Sequence, residues 1–455
     1  MNYKYNLERQ DIMKKNTDSI QKFTGLWTVN NYKRTPMFNS GESGKISISK
    51  KDKGILRRLA TKVAYLSNRP IEGEKRKLWY EHNSLKPVRP LIFCDPENGW
   101  NEIVTKNQID CEGELAQRWE MVLRKEIFWG ELLLDDKVIE PYFDISYTYN
   151  EGNWGVDPII HGGKNGGAYM WEAPIKKYSD IDNLHFPIIN IDYKATQKTL
   201  EVANDTLGDL LKVRKIGIWW WSLGSTRLLA LLRGLETMMI DMYDNPKLIH
   251  ELMRIISEGT LEKLNFLEEN DLLSIKIDRY VGSGGFGYTK ELPAEGFDDS
   301  KVRTIDMWGF CESQETVGIS PQMFEEFIFQ YQLPILKRFG LNCYGCCDPL
   351  DQRWHIIKNI PNLRRVSVSP WSDLEKMAEN LEDKYIFSMK PLPTPLAAVV
   401  LDEGFIRKKI REALEITKGC VLEIIMKDNN SIGKNQENVI NWVRIAREEI
   451  NKIYN

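Results

Sequence analysis

The chain is expected to fold as an α/β protein, a closed (β/α)8 TIM barrel preceded by an N-terminal helical extension. Three observations lead there. Short apolar runs alternate with amphipathic stretches from about residue 88 to the end, the layout of parallel strands joined by helical crossovers. About nine strand candidates are spread over that length, which favours a closed barrel over an open doubly wound sheet. Carboxylates and cysteines also fall just behind the strands, where barrels keep their chemistry.

Composition narrows the function classes. The chain has 455 residues, 62 basic and 65 acidic, for a formal charge of -3. No basic face follows from such a balance, so nucleic-acid binding has no compositional support. No apolar run reaches the length of a membrane span. The polar first ten residues do not read as a secretory signal. Seven irregularly spaced cysteines do not make a disulfide framework, so a reducing cytoplasm is expected. The 14 tryptophans are unusually many; most are expected in packing, some around a flat ligand.

Residues 1–52 read as a surface arm with a loop at Asn39–Gly44, and helices are expected from Ile55 and over 74–82. The extension is taken as 1–86 and the barrel as 87–455. Lys86-Pro87-Val88-Arg89-Pro90 leads into a strand over 91–94, and a second follows over 138–145 with Asp144 near its end. A glycine-rich loop, 161–167, holds His161. A third strand is expected over 216–221, through Trp219, Trp220 and Trp221. The helix behind it carries Leu228, Leu231, Leu232, Leu235, Met239 and Met242 on one face, which marks core packing.

A strand over 272–277 runs toward Gly282-Ser283-Gly284-Gly285-Phe286-Gly287. That stretch matches G-x-G-x-x-G, but the following residues carry Pro293 and Gly296 and open no helix. A pyrophosphate site needs that helix N-terminus, so nucleotide binding is not expected. The strand over 304–310 ends at Glu312, and Ser320-Pro321 starts the next helix with a serine cap and a proline in the first turn. Strands over 365–369, 385–389 and 421–426, with helices over 352–360, 374–380, 405–417 and 436–450, complete the alternation.

Cys343-Tyr344-Gly345-Cys346-Cys347-Asp348-Pro349 places three of the seven cysteines in five positions behind a short strand. Thiols there can bind a metal or attack an electrophile, or simply pack as small apolar groups. Cys343-x-x-Cys346 lacks the second pair of a zinc ribbon. Asp144, Glu312 and Asp428 are candidate acids or metal ligands; the alternative for each is a solvated or capping carboxylate. Trp220, Tyr288, Tyr344 and Asn430 are candidate substrate contacts.

Three stretches resemble the uroporphyrinogen decarboxylase superfamily, which includes corrinoid-dependent methyltransferases. They are Phe143-Asp144-Ile145, the run from Leu228 to Gly234 with its stop at Asp244-Asn245-Pro246, and Glu312-Ser313 followed by Gly318-Ile319-Ser320-Pro321-Gln322-Met323-Phe324-Glu325-Glu326-Phe327. The resemblance covers most of the chain from about Pro87 and implies a (β/α)8 barrel. The decarboxylase's substrate-gripping arginines have no counterpart, since the loop after the first strand reads Cys94-Asp95-Pro96-Glu97-Asn98-Gly99-Trp100. Its Gly-His-Gly is replaced by Lys427-Asp428-Asn429-Asn430. Uroporphyrinogen decarboxylation is therefore not expected.

The thiol methyltransferase branch carries His-x-Cys where this chain has Tyr344-Gly345-Cys346, and a later cysteine this chain lacks. The resemblance thus implies an altered zinc site at Cys346 or Cys347, a small O- or N-methylated substrate, and a corrinoid carried by a partner protein. Two further readings stay open. One is a decarboxylase, lyase or hydrolase using Asp144 and Glu312; the other is a non-catalytic corrinoid- or ligand-binding barrel.

Overall fold

The computed structural model describes residues 46–162, 169–218, 220–275 and 277–454. The expected arm falls outside these up to residue 45, as do Gly163–Gly167, Trp219 and Lys276. In chain order the strands are β1 (Leu91–Cys94), β2 (Tyr142–Ser146), β3 (Thr148–Glu151), β4 (Ile159–Gly162), β5 (Tyr169–Glu172), β6 (Ile189–Asp192), β7 (Lys212–Ile216), β8 (Trp308–Cys311), β9 (Leu341–Tyr344), β10 (Leu363–Val368), β11 (Ile386–Met389) and β12 (Val421–Met426). Six of them form one sheet in the order β1-β12-β11-β10-β9-β8. Every pairing in it is parallel. Both faces of this sheet are covered, so β1, β9, β11 and β12 are buried throughout and read as unbroken runs.

The expected α/β architecture is present, but the hydrogen-bonded ladder does not close into a barrel among the described residues. β2 and β7 form a separate parallel pair, and two antiparallel pairs, β3 with β6 and β4 with β5, lie outside the main sheet. At the free edge of β1, side chains take the place of a neighbouring strand. The Ile92 amide donates to Asp136 Oδ2 at 2.7 Å and the Cys94 amide to Asp135 Oδ2 at 2.8 Å. Arg89 and Arg447 hold Asp136 at 2.8 and 2.7 Å. Buried edge groups satisfied in this way need no further strand.

Two strand expectations shift. The third strand lies over Lys212–Ile216, not 216–221, and Trp220 and Trp221 follow it. Its charged residues hid it from an apolar-run reading; Arg214 faces Asp144 in register with β2. No strand is assigned over 272–277 among the described residues, where the chain meets its neighbour through the Ile218 amide on the Leu272 carbonyl at 2.7 Å. The long leucine-rich helix is broken at Gly234, whose φ is +92°, into Thr226–Arg233 and Leu235–Asp244. Ser320 caps its helix as expected, accepting from the Met323 amide at 3.2 Å.

Helices α1 (Lys50–Ser67) and α2 (Pro70–Asn83) precede β1. Trp79 of α2 is fully buried and donates to the Asp136 carbonyl at 2.7 Å. The glycine loop lies against this helix and against side chains of the sheet. The Gly285 amide donates to Glu423 Oε1 at 2.8 Å, and Asn83 Nδ2 donates to the Phe286 carbonyl at 2.8 Å. A Cβ at Gly285 would stand 2.4 Å from the Trp79 ring; one at Gly284 would stand 2.3 Å from Arg365 Cδ. The motif's glycines thus answer to close packing. Gly285→Ala is expected to lower unfolding free energy by about 1–3 kcal/mol, the usual cost of overpacking. A shift in urea midpoint too small for 0.5 kcal/mol would contradict that.

Candidate functional site

The side chains that carry chemistry converge where the sheet's strands end. Gly345, with φ of +91°, turns the chain behind β9 and donates its amide to the Cys311 carbonyl at 3.0 Å. A Cβ there would lie 2.6 Å from Leu350. The turn is held from behind by buried Asp348. One carboxylate oxygen accepts the Cys346 amide at 2.8 Å and the other the Ser313 hydroxyl at 2.8 Å. Arg353 donates to that same hydroxyl oxygen at 3.1 Å. Cys346 and Cys347 are thereby placed with sulfurs 3.7 Å apart.

Lys390, directly behind β11, occupies the centre of the cluster. Its Nζ lies 3.4 Å from Cys346 Sγ, 3.8 Å from Cys347 Sγ and 2.6 Å from Asp428 Oδ2, on a side chain only 3% exposed. Burial pushes this ammonium down, but Cys346, Asp428 and Cys347 around it outweigh burial and hold Lys390 well above the ordinary lysine value. The Cys346 thiol beside it, with Lys390 adding its charge, holds Cys347 below the ordinary thiol range. Cys346 is pushed well up, by its bond to Cys347 and by burial. Cys347 is therefore the more acidic thiol of the pair, and Cys346 the one that keeps its proton longer. Cys343 is fully buried and pushed up to about 12, mainly by burial.

Around this core, Lys427 behind β12 is also buried, its Nζ 3.6 Å from the centre of the Tyr280 ring and 3.4 Å from the Gly282 carbonyl oxygen. Burial lowers its pKa. Glu97, buried behind β1, is pushed well above the carboxylate range by burial and by nearby Asp428 and Asp95. Glu97 and Asp428 both sit in the left-handed region, with φ of +51° and +64°. Such backbone conformations in non-glycine residues are uncommon and concentrate at functional sites. On the other side, Glu312 is 1% exposed and receives the Ser222 hydroxyl at 3.2 Å and the Gln314 amide at 3.1 Å. Burial, with Glu315 and Cys346 nearby, keeps it protonated well above the usual range. Trp221, Val281 and Phe310 pack with the cysteines as an apolar wall.

Of the residues expected from sequence, Cys346, Cys347, Asp428 and Glu312 thus come together. Asp144 lies elsewhere, inside β2. Arg214 grips it through two bonds of 2.7 and 2.9 Å, and Arg279 adds a third contact. Burial would raise Asp144, but Arg279 and Arg214 hold it below the carboxylate range, so it carries no proton to give. Tyr344 is fully buried with its hydroxyl on Gln332 Oε1 at 2.7 Å, out of reach of a substrate. Tyr288 is likewise buried and donates to Glu140 at 2.7 Å. Trp220 lines a small cavity with Trp221 and Tyr280. Asn430 is exposed, and its carbonyl accepts from Asn98 Nδ2 at 2.8 Å. His161 is exposed and meets Glu172 at 2.8 Å.

Lys390, Lys427 and Glu97 were missed. The signal was there for the lysines: each follows a fully apolar strand end, Met389 and Met426, where a charge must be held by partners.

The implied zinc does not fit this donor set. No group of three or more His, Cys, Asp or Glu side chains able to hold an ion occurs among the described residues. Lys390 lies within 4 Å of both sulfurs and of the Asp428 oxygen, the position a cation would take, and its own positive charge would repel a divalent ion there.

No family model matches the chain, and no curated protein matches it. Among solved structures, a methyltransferase from Methanosarcina mazei superposes with a TM-score of 0.48 at 11% identity, over 84% of this chain and 99% of that chain.

Proposed function

We propose that this chain is a methyltransferase moving a methyl group between a small O- or N-methylated compound and a corrinoid held by another protein. The observation that carries the reading is one mouth that joins a buried proton-holding carboxyl, Glu312, to the Cys347–Lys390–Asp428 set. A methyl group on oxygen or nitrogen is hard to take because the leaving atom departs with charge. Glu312, kept protonated by burial, supplies the proton that removes this obstacle. The Cys347 thiolate and Asp428, balanced by Lys390 and Lys427, fix the field in which the substrate's polar end is oriented. Trp221, Val281 and Phe310 keep water from the reacting side.

When bound, the corrinoid supplies a cobalt nucleophile strong enough to accept the methyl group. Its carrier would meet the loops behind β8, β10 and β11, where Val317, Trp371, Leu392, Val399 and Val400 stand exposed around the mouth. Exposed apolar side chains on loops at one end of the sheet suit a transient partner. The strands are read as a barrel-like arrangement that leaves this end open, and no zinc takes part.

The test mixes the protein with a Co(I) corrinoid protein and a panel of methoxylated and N-methylated compounds, following the visible spectrum for methyl-Co(III). Transfer from at least one donor is expected, and Glu312→Gln should slow it by about a hundredfold or more. No transfer from any donor would sink the reading. Transfer at an unchanged rate in the glutamine variant would remove Glu312 from it.

A further inference from the structure

Beside the mouth, between β1 and the β2–β7 pair, is a cavity of about 180 Å³. Its walls are largely aromatic, with Phe93, Trp100, Trp129 and Tyr280 among them. Tyr280 also touches Lys427, and Asp95 and Glu97 line the cavity's side toward the thiol site, so the two spaces adjoin.

Several of the cavity's charges are held in ion pairs. Arg214 bonds Asp144 and Asp278 at 2.7 and 2.8 Å, and Lys137 bonds Glu126 at 2.5 Å. Arg76 bonds Glu140 at 2.9 Å. Lys125 is 3% exposed, lines the cavity, and has no hydrogen bond or ion pair among the described residues. Its Nζ stands 5.0 Å from the centre of the Trp100 ring. A buried ammonium with a ring and two more distant carboxylates but no direct bond is costly unless something else completes it. Burial accordingly lowers Lys125 to about 8, with Asp95 and Glu126 opposing.

We infer that this cavity binds an aromatic compound of benzene size bearing one anionic substituent, the ring lying among Trp100, Trp129, Phe93 and Tyr280 and the anion completing Lys125. The volume agrees, since a cavity of about 150 Å³ suffices for benzene. Only the further step, that this guest is the methyl donor's body, rests on the methyl-transfer reading. The guest's chemistry rests on the cavity alone.

The test needs no corrinoid. Benzoate, benzyl alcohol and cyclohexanecarboxylate are titrated into the full-length protein by calorimetry, with tryptophan fluorescence as a second readout. Benzoate is expected to bind best. Lys125→Met should weaken it roughly tenfold to a hundredfold, as loss of a charge-assisted bond does, while benzyl alcohol changes little. Lys125→Arg should restore most of the benzoate affinity, which separates a lost charge from a damaged fold. Absence of benzoate binding, or equal binding by Lys125→Met, overturns the assignment. So does equal binding of cyclohexanecarboxylate, which would remove the aromatic requirement. If benzoate binds but no aromatic donor gives up a methyl group, the methyl-transfer reading fails and the cavity assignment stands. If a non-aromatic donor is demethylated and benzoate does not bind, the reverse holds.

Discussion

Replacing Lys390 with methionine is expected to extinguish the reactive thiolate and, with it, activity. The ammonium lies 3.4 and 3.8 Å from the two sulfurs, buried with them. At an effective dielectric of about 20, a unit charge some 4 Å away is worth about 4 kcal/mol. Even half of that changes the thiolate fraction at neutral pH by more than about tenfold. In the variant, Asp428 would remain 3.8 Å from Cys347 with only Lys427 left to offset its charge, and would oppose the thiolate further. The sign follows directly. In the native protein Cys347 is held below the ordinary thiol range, so alkylation by iodoacetamide should already be rapid near pH 7. In Lys390→Met the midpoint of the rate profile should move above the ordinary thiol value, and the rate at pH 7 should fall by roughly tenfold to a hundredfold. Peptide mapping assigns the label to Cys347 rather than Cys343, which burial keeps inert. An unchanged profile would mean that the lysine does not set the thiol's state.

The largest stability effect should come from Arg365→Met. Arg365 and Glu423 are both fully buried on β10 and β12, with Arg365 Nε 3.0 Å from Glu423 Oε1. His82 Nε2 lies 3.1 Å from the other carboxylate oxygen, and Arg365 Nη2 donates to Asn83 Oδ1 at 2.7 Å and to the Phe286 carbonyl at 3.0 Å. One side chain therefore joins α2, the glycine loop and two strands. Removing it strands a carboxylate in the core, and breaking a buried pair in that way typically costs about 3–5 kcal/mol. Burial raises Glu423, but Arg365 and His82 overcome it and hold the acid at about 2. A carboxylate depressed on folding stabilises the protein above its unfolded pKa, near 4.3, and loses that contribution as pH falls toward 2. His82, lowered chiefly by burial, acts in the same direction below about 6.5. In the variant Glu423 is no longer held down, so acid no longer removes its contribution, and the deficit relative to the native protein should narrow as pH falls from 7 to 5. Adding Glu423→Leu should recover part of the lost stability, because the orphaned charge goes with it. Urea denaturation at pH 7 and pH 5 measures both effects; a loss below about 1 kcal/mol would show the pair to be dispensable.

Much of the candidate site was legible in the sequence, because it follows from local pattern. Glu312, Cys346, Cys347 and Asp428 each stand just behind an apolar run, and a parallel strand delivers the residue at its carboxyl end to one common side. Asp144 failed by the same rule. It sits inside its strand, and the charged strand that pairs with it, Lys212–Ile216, has no apolar run to announce it. Tyr344 and Tyr288 were plausible contacts by type, yet their hydroxyls are claimed by Gln332 and Glu140, partners that only packing supplies.

What the amino-acid order determined by itself was the parallel α/β layout, the positions of most strands, and the end of the sheet where the thiols lie. These depend on hydrophobic period and on turn residues, which act over a few positions. The tertiary structure alone decided that Asp135 and Asp136, not a strand, satisfy the edge of β1, and that Lys390 comes to stand between the sulfurs and Asp428. It also decided which carboxyls keep protons and which are held ionised. Charge–charge energy depends on distance through space and on burial, and residues more than forty positions apart in the chain, such as Cys346 and Lys390, acquire both only when the strands align.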